Sequence, residues 1–161
     1  MKRPRIGDIV EIVTGKGLGY AQYSHKHPVY GYLLRVFKPV FGARPGDFKA
    51  LILEEPGFLT FFPLSAAVNR GLVTIAGHED LPLSAQPFPI FRSGLINART
   101  RQVDAWWLWN GEKERRIDTL SCDQYRLPIR EIINDTLLIE RIETGWTPET
   151  DPYEGWQKAG L

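Results

Sequence analysis

His25 and His27 stand two residues apart in "SHKHP" (24–28). That spacing places both imidazoles on one face of an extended segment, where they could ligate zinc if His78, Cys122 or a carboxylate completed the set. No second spaced pair of ligands accompanies them and Pro28 follows at once, so the stretch reads as a histidine-rich solvated loop rather than a metal site. Cys122 opens a helical pattern, a position where the dipole lowers a thiol pKa and makes a nucleophile, but a single small cysteine is more often packed than reactive. "GKGLG" (15–19) has the glycines of a phosphate-cradling loop without the Gly-Lys-Ser/Thr ending, and strand-like sequence follows it, which makes it a hairpin turn. "HED" (78–80) and the acidic tail supply carboxylates, yet no spacing pairs two of them as acid and base. The expectation is a protein that is not an enzyme, with no catalytic residues, cofactor or metal.

The elements that carry these residues are short. Fifteen glycines and twelve prolines are spread along the chain, which breaks it into segments too brief for long helices and favours β structure. "DIVEIV" (8–13) reads as a strand opening at Gly7-Asp8, with Asp8 forming the turn or bonding backbone rather than catalysing. "YAQYS" (20–24) is its hairpin partner and "VYGYLLRVF" (29–37) a further extended run. "FKALIL" (48–53) and "FLTFF" (58–62) flank Pro56-Gly57 and are expected to pair antiparallel. "SAAVNRG" (65–71) offers Ser65 as a helix cap and Gly71 as terminator, and "LVTIAG" (72–77) returns to strand. Prolines 82, 87 and 89 make 81–94 an irregular surface crossover. "SCDQYRLP" (121–128) fits a capping box, Ser121 with Gln124. "NDTLLIERIETG" (134–145) has a cap at Asn134 or Asp135, Leu138 and Ile142 one turn apart, and Gly145 at its end; a strand over 136–142 stays open.

"AWWLWNG" (105–111) concentrates three tryptophans. As a strand it sends Trp107 and Trp109 to one face and Trp106 to the other, with "NGEK" turning into "RRIDTL". Each buried Trp is worth about 4–6 kcal/mol as an upper bound, so at least two of the three are expected in the core.

The fold class is therefore mainly β (α+β): an antiparallel, partly barrel-like sheet with two or three short helices, in one domain spanning 1–161. Twenty Lys and Arg against nineteen Asp and Glu leave a formal charge of +1, too little for a global field toward nucleic acid or anionic lipid. One cysteine allows no internal disulfide, "MKRPRIGDIV" lacks the apolar stretch of a signal peptide, and no run is long enough to span a membrane, which points to the cytoplasm.

The opening "RIGDIVEI" (5–12), "GYAQY" (19–23) and "YGYLLRVF" (30–37), with the closing "WLWNG" (107–111) and "TLSCDQYRLPIREIINDTLLIERIETGW" (119–146), resembles the immunity-26 family of bacterial polymorphic-toxin systems. The similarity spans most of the chain and is weakest in the proline-rich middle. The resemblance implies a mostly β, cytoplasmic protein that binds and neutralises a protein toxin encoded by a neighbouring gene. It transfers no catalytic residues. Partner contacts are expected on two loops rich in aromatic and charged side chains: "YSHKHPVY" (23–30), with Tyr23, His25, His27 and Tyr30, and "TPETDPYEGW" (147–156), with Glu149, Asp151, Tyr153 and Glu154 as an acidic patch. The alternative reading is a small β-barrel that stacks single-stranded bases on Tyr20, Tyr23, Tyr30 and Tyr32 beside the basic "KRPR" start.

Overall fold

Alternating short apolar runs and turn residues fold into antiparallel sheets. A computed structural model describes residues 3–155, which hold eight strands, two α-helices and four 3-10 turns. The chain forms two compact units, Met1–Pro87 with Glu131–Gly145, and Phe88–Arg130 with Trp146–Leu161; the first boundary falls inside the proline-rich 81–94.

In the first unit β1 (Asp8–Thr14), β2 (Gly17–His27), β3 (Gly31–Val36), β4 (Phe58–Phe61) and β5 (Thr74–His78) pair antiparallel in the order β4-β3-β2-β1-β5. This sheet is open, with β4 and β5 at its edges, and does not close into a barrel. The β1–β2 turn demands glycine at position 17: φ is +133° there, and a Cβ would stand 2.6 Å from the Phe41 carbonyl. Both faces of β1 are covered. Ile9 packs with Tyr20, Phe37, Phe48, Leu51 and Ile52. On the other side α2 (Asp135–Thr144) closes over Gly19, where an added Cβ would lie 3.1 Å from Ile142.

"FKALIL" is not a strand. Residues Leu51–Leu53 form a 3-10 turn, and β4 pairs with β3 instead of with 48–53. The reason is spacing: Phe48, Leu51 and Ile52, at i, i+3 and i+4, fall on one side of a turn and cover the Ile9–Tyr20–Phe37 cluster together. The 65–71 helix is present as α1 (Leu64–Asn69), but Pro63 occupies the cap position, no side chain caps it, and Ser65 lies inside. Gly71 follows at φ +71°, as its role as terminator requires. The helical reading of 134–145 holds in full. The Asn134 side chain accepts from the Leu137 amide at 2.8 Å, Gly145 adopts φ +66°, and Leu138 and Ile142 are buried.

In the second unit β6 (Phe91–Ile96), β7 (Val103–Trp109) and β8 (Glu114–Ile117) form a three-stranded antiparallel sheet with β7 central. Trp106 and Trp109 are buried on opposite faces and Trp107 is half-buried, as the strand reading requires. The Ser121 amide donates to Gln124 Oε1 at 2.8 Å and the Gln124 amide to Ser121 Oγ at 3.2 Å, so the capping box forms, ahead of a 3-10 turn at Gln124–Arg126. Cys122 is exposed rather than packed, because the turn is too short to bring it under the sheet.

Candidate functional site

The two expected contact loops are tied down differently. β2 continues to His27, so 23–27 is strand and only Pro28–Tyr30 make the turn. Tyr23 is buried with its ring edge-on to Tyr32, and burial pushes its hydroxyl pKa up. His25 joins Ser24 Oγ at 3.0 Å and the Gln86 carbonyl at 2.8 Å. The amides of Val29 and Tyr30 donate to His27 Nδ1 at 3.1 and 3.2 Å, so the ring closes the turn. The His27, Tyr30 and Phe61 rings stack together at 5.2–6.1 Å. The histidines point to different partners and are not brought together as ligands. Among the described residues no group of three or more His, Cys, Asp or Glu side chains could hold a metal ion.

In the tail the carboxylates mostly face inward. Asp151 accepts from Trp146 Nε1 at 3.2 Å and from the amides of Tyr153 and Glu154 at 3.0 and 2.8 Å. Glu154 Oε1 accepts from the Gly94 amide on β6 at 3.0 Å. Glu149 pairs with Arg126 at 3.5 Å on the rim of a cavity of about 530 Å³ that Cys122, Tyr125 and Thr150 also line. Of the four tail residues, Tyr153 is the most openly presented. Trp156, which ends the quoted stretch, lies outside the described residues.

Tyr20 and Tyr23 are core residues, so they offer no face to a stacking base. Tyr20 instead donates its hydroxyl to Glu11 at 2.8 Å, while Arg44 grips the same carboxylate through Nε at 2.7 Å and a terminal nitrogen at 2.9 Å. The Arg44 guanidinium holds the Glu11 pKa below its usual 4.5, and the Tyr20 hydroxyl helps, against the opposing effect of burial. Burial and the adjacent Glu11 push the Tyr20 pKa up to about 12. The cluster is a clamp that pins the 38–47 loop to the sheet.

Its pH dependence follows in sign. A depressed acid contributes stability above its unfolded pKa and loses it as pH falls; a raised tyrosine contributes below 10 and loses it as pH rises toward 12. Thermal midpoints measured against pH are expected to fall on both limbs in wild type. Glu11→Gln is expected to cost about 1–2 kcal/mol at neutral pH and to flatten the acid limb. An acid limb of unchanged slope would contradict the clamp.

Asp8 is structural as well. It accepts the Arg5 amide at 2.8 Å and faces His78 Nδ1 at 2.9 Å, almost fully buried at the start of β1.

A further set of presented side chains lies on the second unit's sheet, where sequence reading did not place a contact. Arg116 sits over the Trp107 ring at 5.9 Å, and Arg130 over Trp109 at 4.3 Å while bonding Glu114 at 2.7 Å. Lys113, Arg115 and Arg116 are exposed, and Leu95 and Ile96 at the end of β6 are 56% and 41% exposed. The signal was "EKERRI" directly after the tryptophans: a strand carrying this much charge beside such an aromatic one belongs at an edge.

Set beside protein-family models, curated proteins and solved structures, the chain matches none of them. Among the described residues no helix is long and apolar enough to cross a membrane.

Proposed function

We propose that this is an immunity-type binding protein of the bacterial cytoplasm, which neutralises a protein toxin encoded by a neighbouring gene by binding it directly. The resemblance of the opening and closing segments to the immunity-26 pattern suggests the biological setting. One observation carries the reading of the surface: half-buried Trp107 lies under Arg116, and exposed Leu95, paired with Ala105, stands on the same face of the sheet. Trp and Arg are the residues most enriched where binding energy concentrates, and aliphatic neighbours that exclude water complete such a patch. Titration calorimetry of the purified protein against the product of the adjacent gene tests this. Saturable binding tighter than about 1 μM is expected, and no heat up to about 100 μM would overturn it.

A further inference from the structure

The three-stranded sheet ends at β8, and the phase of its ladder shows which backbone groups that strand turns away from β7. On the far edge the Arg92 amide donates to the Pro128 carbonyl and the Arg130 amide donates to the Arg92 carbonyl, so Arg92 bonds away from β7. Its neighbour Leu108 therefore bonds toward β8, where it lies opposite Arg115. The Asn110 amide, donating to the Lys113 carbonyl at 3.2 Å, sets the same alternation. Arg115 and Ile117 thus bond to β7, while Glu114, Arg116 and the following Asp118 turn their N–H and C=O groups outward. Among the described residues no backbone hydrogen bond from outside the sheet meets those groups, and Glu114, Arg116 and Asp118 are exposed. The β7–β8 register runs unbroken.

The charges along this edge, Glu112, Lys113, Glu114, Arg115, Arg116 and Asp118, are balanced, so they favour no partner of one sign. Charges on an edge strand ordinarily hold other edges off. A second copy differs, because it brings the same series back in reverse order. A two-fold antiparallel pairing through the outward groups is centred on one residue, which then faces itself. Centres at Glu114, Arg115, Arg116 or Asp118 each set like charges directly opposite, which is destabilising. Ile117 is the one apolar centre. In that register Arg116 stands opposite Asp118 twice, Arg115 opposite Thr119 and Glu114 opposite Leu120, and no like charges meet.

We infer that β8 is a self-pairing edge: two copies of this chain join β8 to β8 antiparallel about Ile117 and make one continuous sheet of the two. Arg116 and the partner subunit's Asp118 form a bonded pair in each half, exchanging N–H and C=O as well as opposite charge, and the two Ile117 side chains meet in the close, non-bonded pair between them. Residues opposite each other in a ladder share a face, so both Trp107 rings end on the same side of the joined sheet. Arg116, which lies over Trp107 at 5.9 Å, then has the partner subunit's Asp118 beside it, and the second copy completes the charged rim of that aromatic surface. The pairing does not depend on what that surface binds.

Sedimentation velocity of the full chain is expected to show monomer at about 1 μM and dimer at about 1 mM, the range of a small strand interface. Asp118→Arg and Arg116→Asp each turn both opposite-charge pairs into like pairs, and each is expected to weaken the dimer at least tenfold with little change in thermal midpoint. Mixed in equal amounts, the two variants set aspartate against arginine at both positions and are expected to regain the dimer, which neither could do unfolded. In the wild type, raising the concentration is expected to slow amide exchange at Arg116 and Asp118, a reading that needs no substitution. A monomer at the higher concentration would overturn the pairing and leave the charges as edge protection. A dimer that both variants keep, a mixture of folded variants that stays monomeric, or unchanged exchange at Arg116 and Asp118 would overturn it equally.

Discussion

Replacing Arg92 by alanine is expected to lower the stability of the second unit by about 3–5 kcal/mol, the range for breaking a buried charged hydrogen-bond network. Arg92 has no solvent exposure. Its two terminal nitrogens donate to three backbone carbonyls: Glu154 at 2.7 Å, Pro148 at 2.6 Å and Tyr125 at 3.2 Å. The guanidinium also lies 5.3 Å from the Trp106 ring centre and 5.6 Å from that of Tyr125. One side chain on β6 thus fastens both the 121–127 turn and the 147–155 segment onto the sheet. Truncation strands three acceptors and opens a void, and unsatisfied acceptors cost more than the bonds were worth. Trp106, Trp107, Trp109 and Trp146 lie in this unit, so their fluorescence follows its unfolding. Denaturant titration is expected to show the midpoint falling sharply for Arg92→Ala and by a smaller step for Arg92→Lys, whose single ammonium cannot reach all three carbonyls. A loss under about 1 kcal/mol would mean the segment is held by something else.

The tryptophans are expected to divide by role. Trp109 packs at 5.3 Å from Phe91 and 5.8 Å from Phe88, and Trp106 meets Tyr125 edge-on at 5.9 Å. Alanine at either site is expected to cost about 3–5 kcal/mol, the usual range for a core Trp. Trp107→Ala is expected to cost only about 1 kcal/mol in stability, because the ring is half-buried. Its larger effect falls on the partner complex, at about 2 kcal/mol or roughly thirtyfold in affinity. Measuring stability and affinity for all three separates the roles. If Trp107→Ala behaves like the other two in stability and leaves affinity alone, the ring is core and not contact.

What the sequence disclosed was local. The glycines of "GKGLG" announced the β1–β2 turn because a φ of +133° at Gly17 admits little else. Asn134 and Gly145 bracketed α2 because capping acts within one turn. "FKALIL" misled because a short apolar run suits a strand or a turn equally, and only the distant Ile9–Tyr20–Phe37 cluster decides. Tail acidity misled for a related reason. Asp-Pro starts a turn whose Asp accepts the amides two and three residues on, so Asp151 spends its charge inside the segment. Arg92 gave no warning, since an arginine within an apolar strand looks like an edge residue until the carbonyls that surround it are known.

Survival decides the function most directly. Cells made to express the product of the adjacent gene are expected to die alone and to grow when this protein is co-expressed, with rescue weakened by Trp107→Ala at equal protein levels. Death whether or not the intact protein is present would contradict its role as an immunity protein.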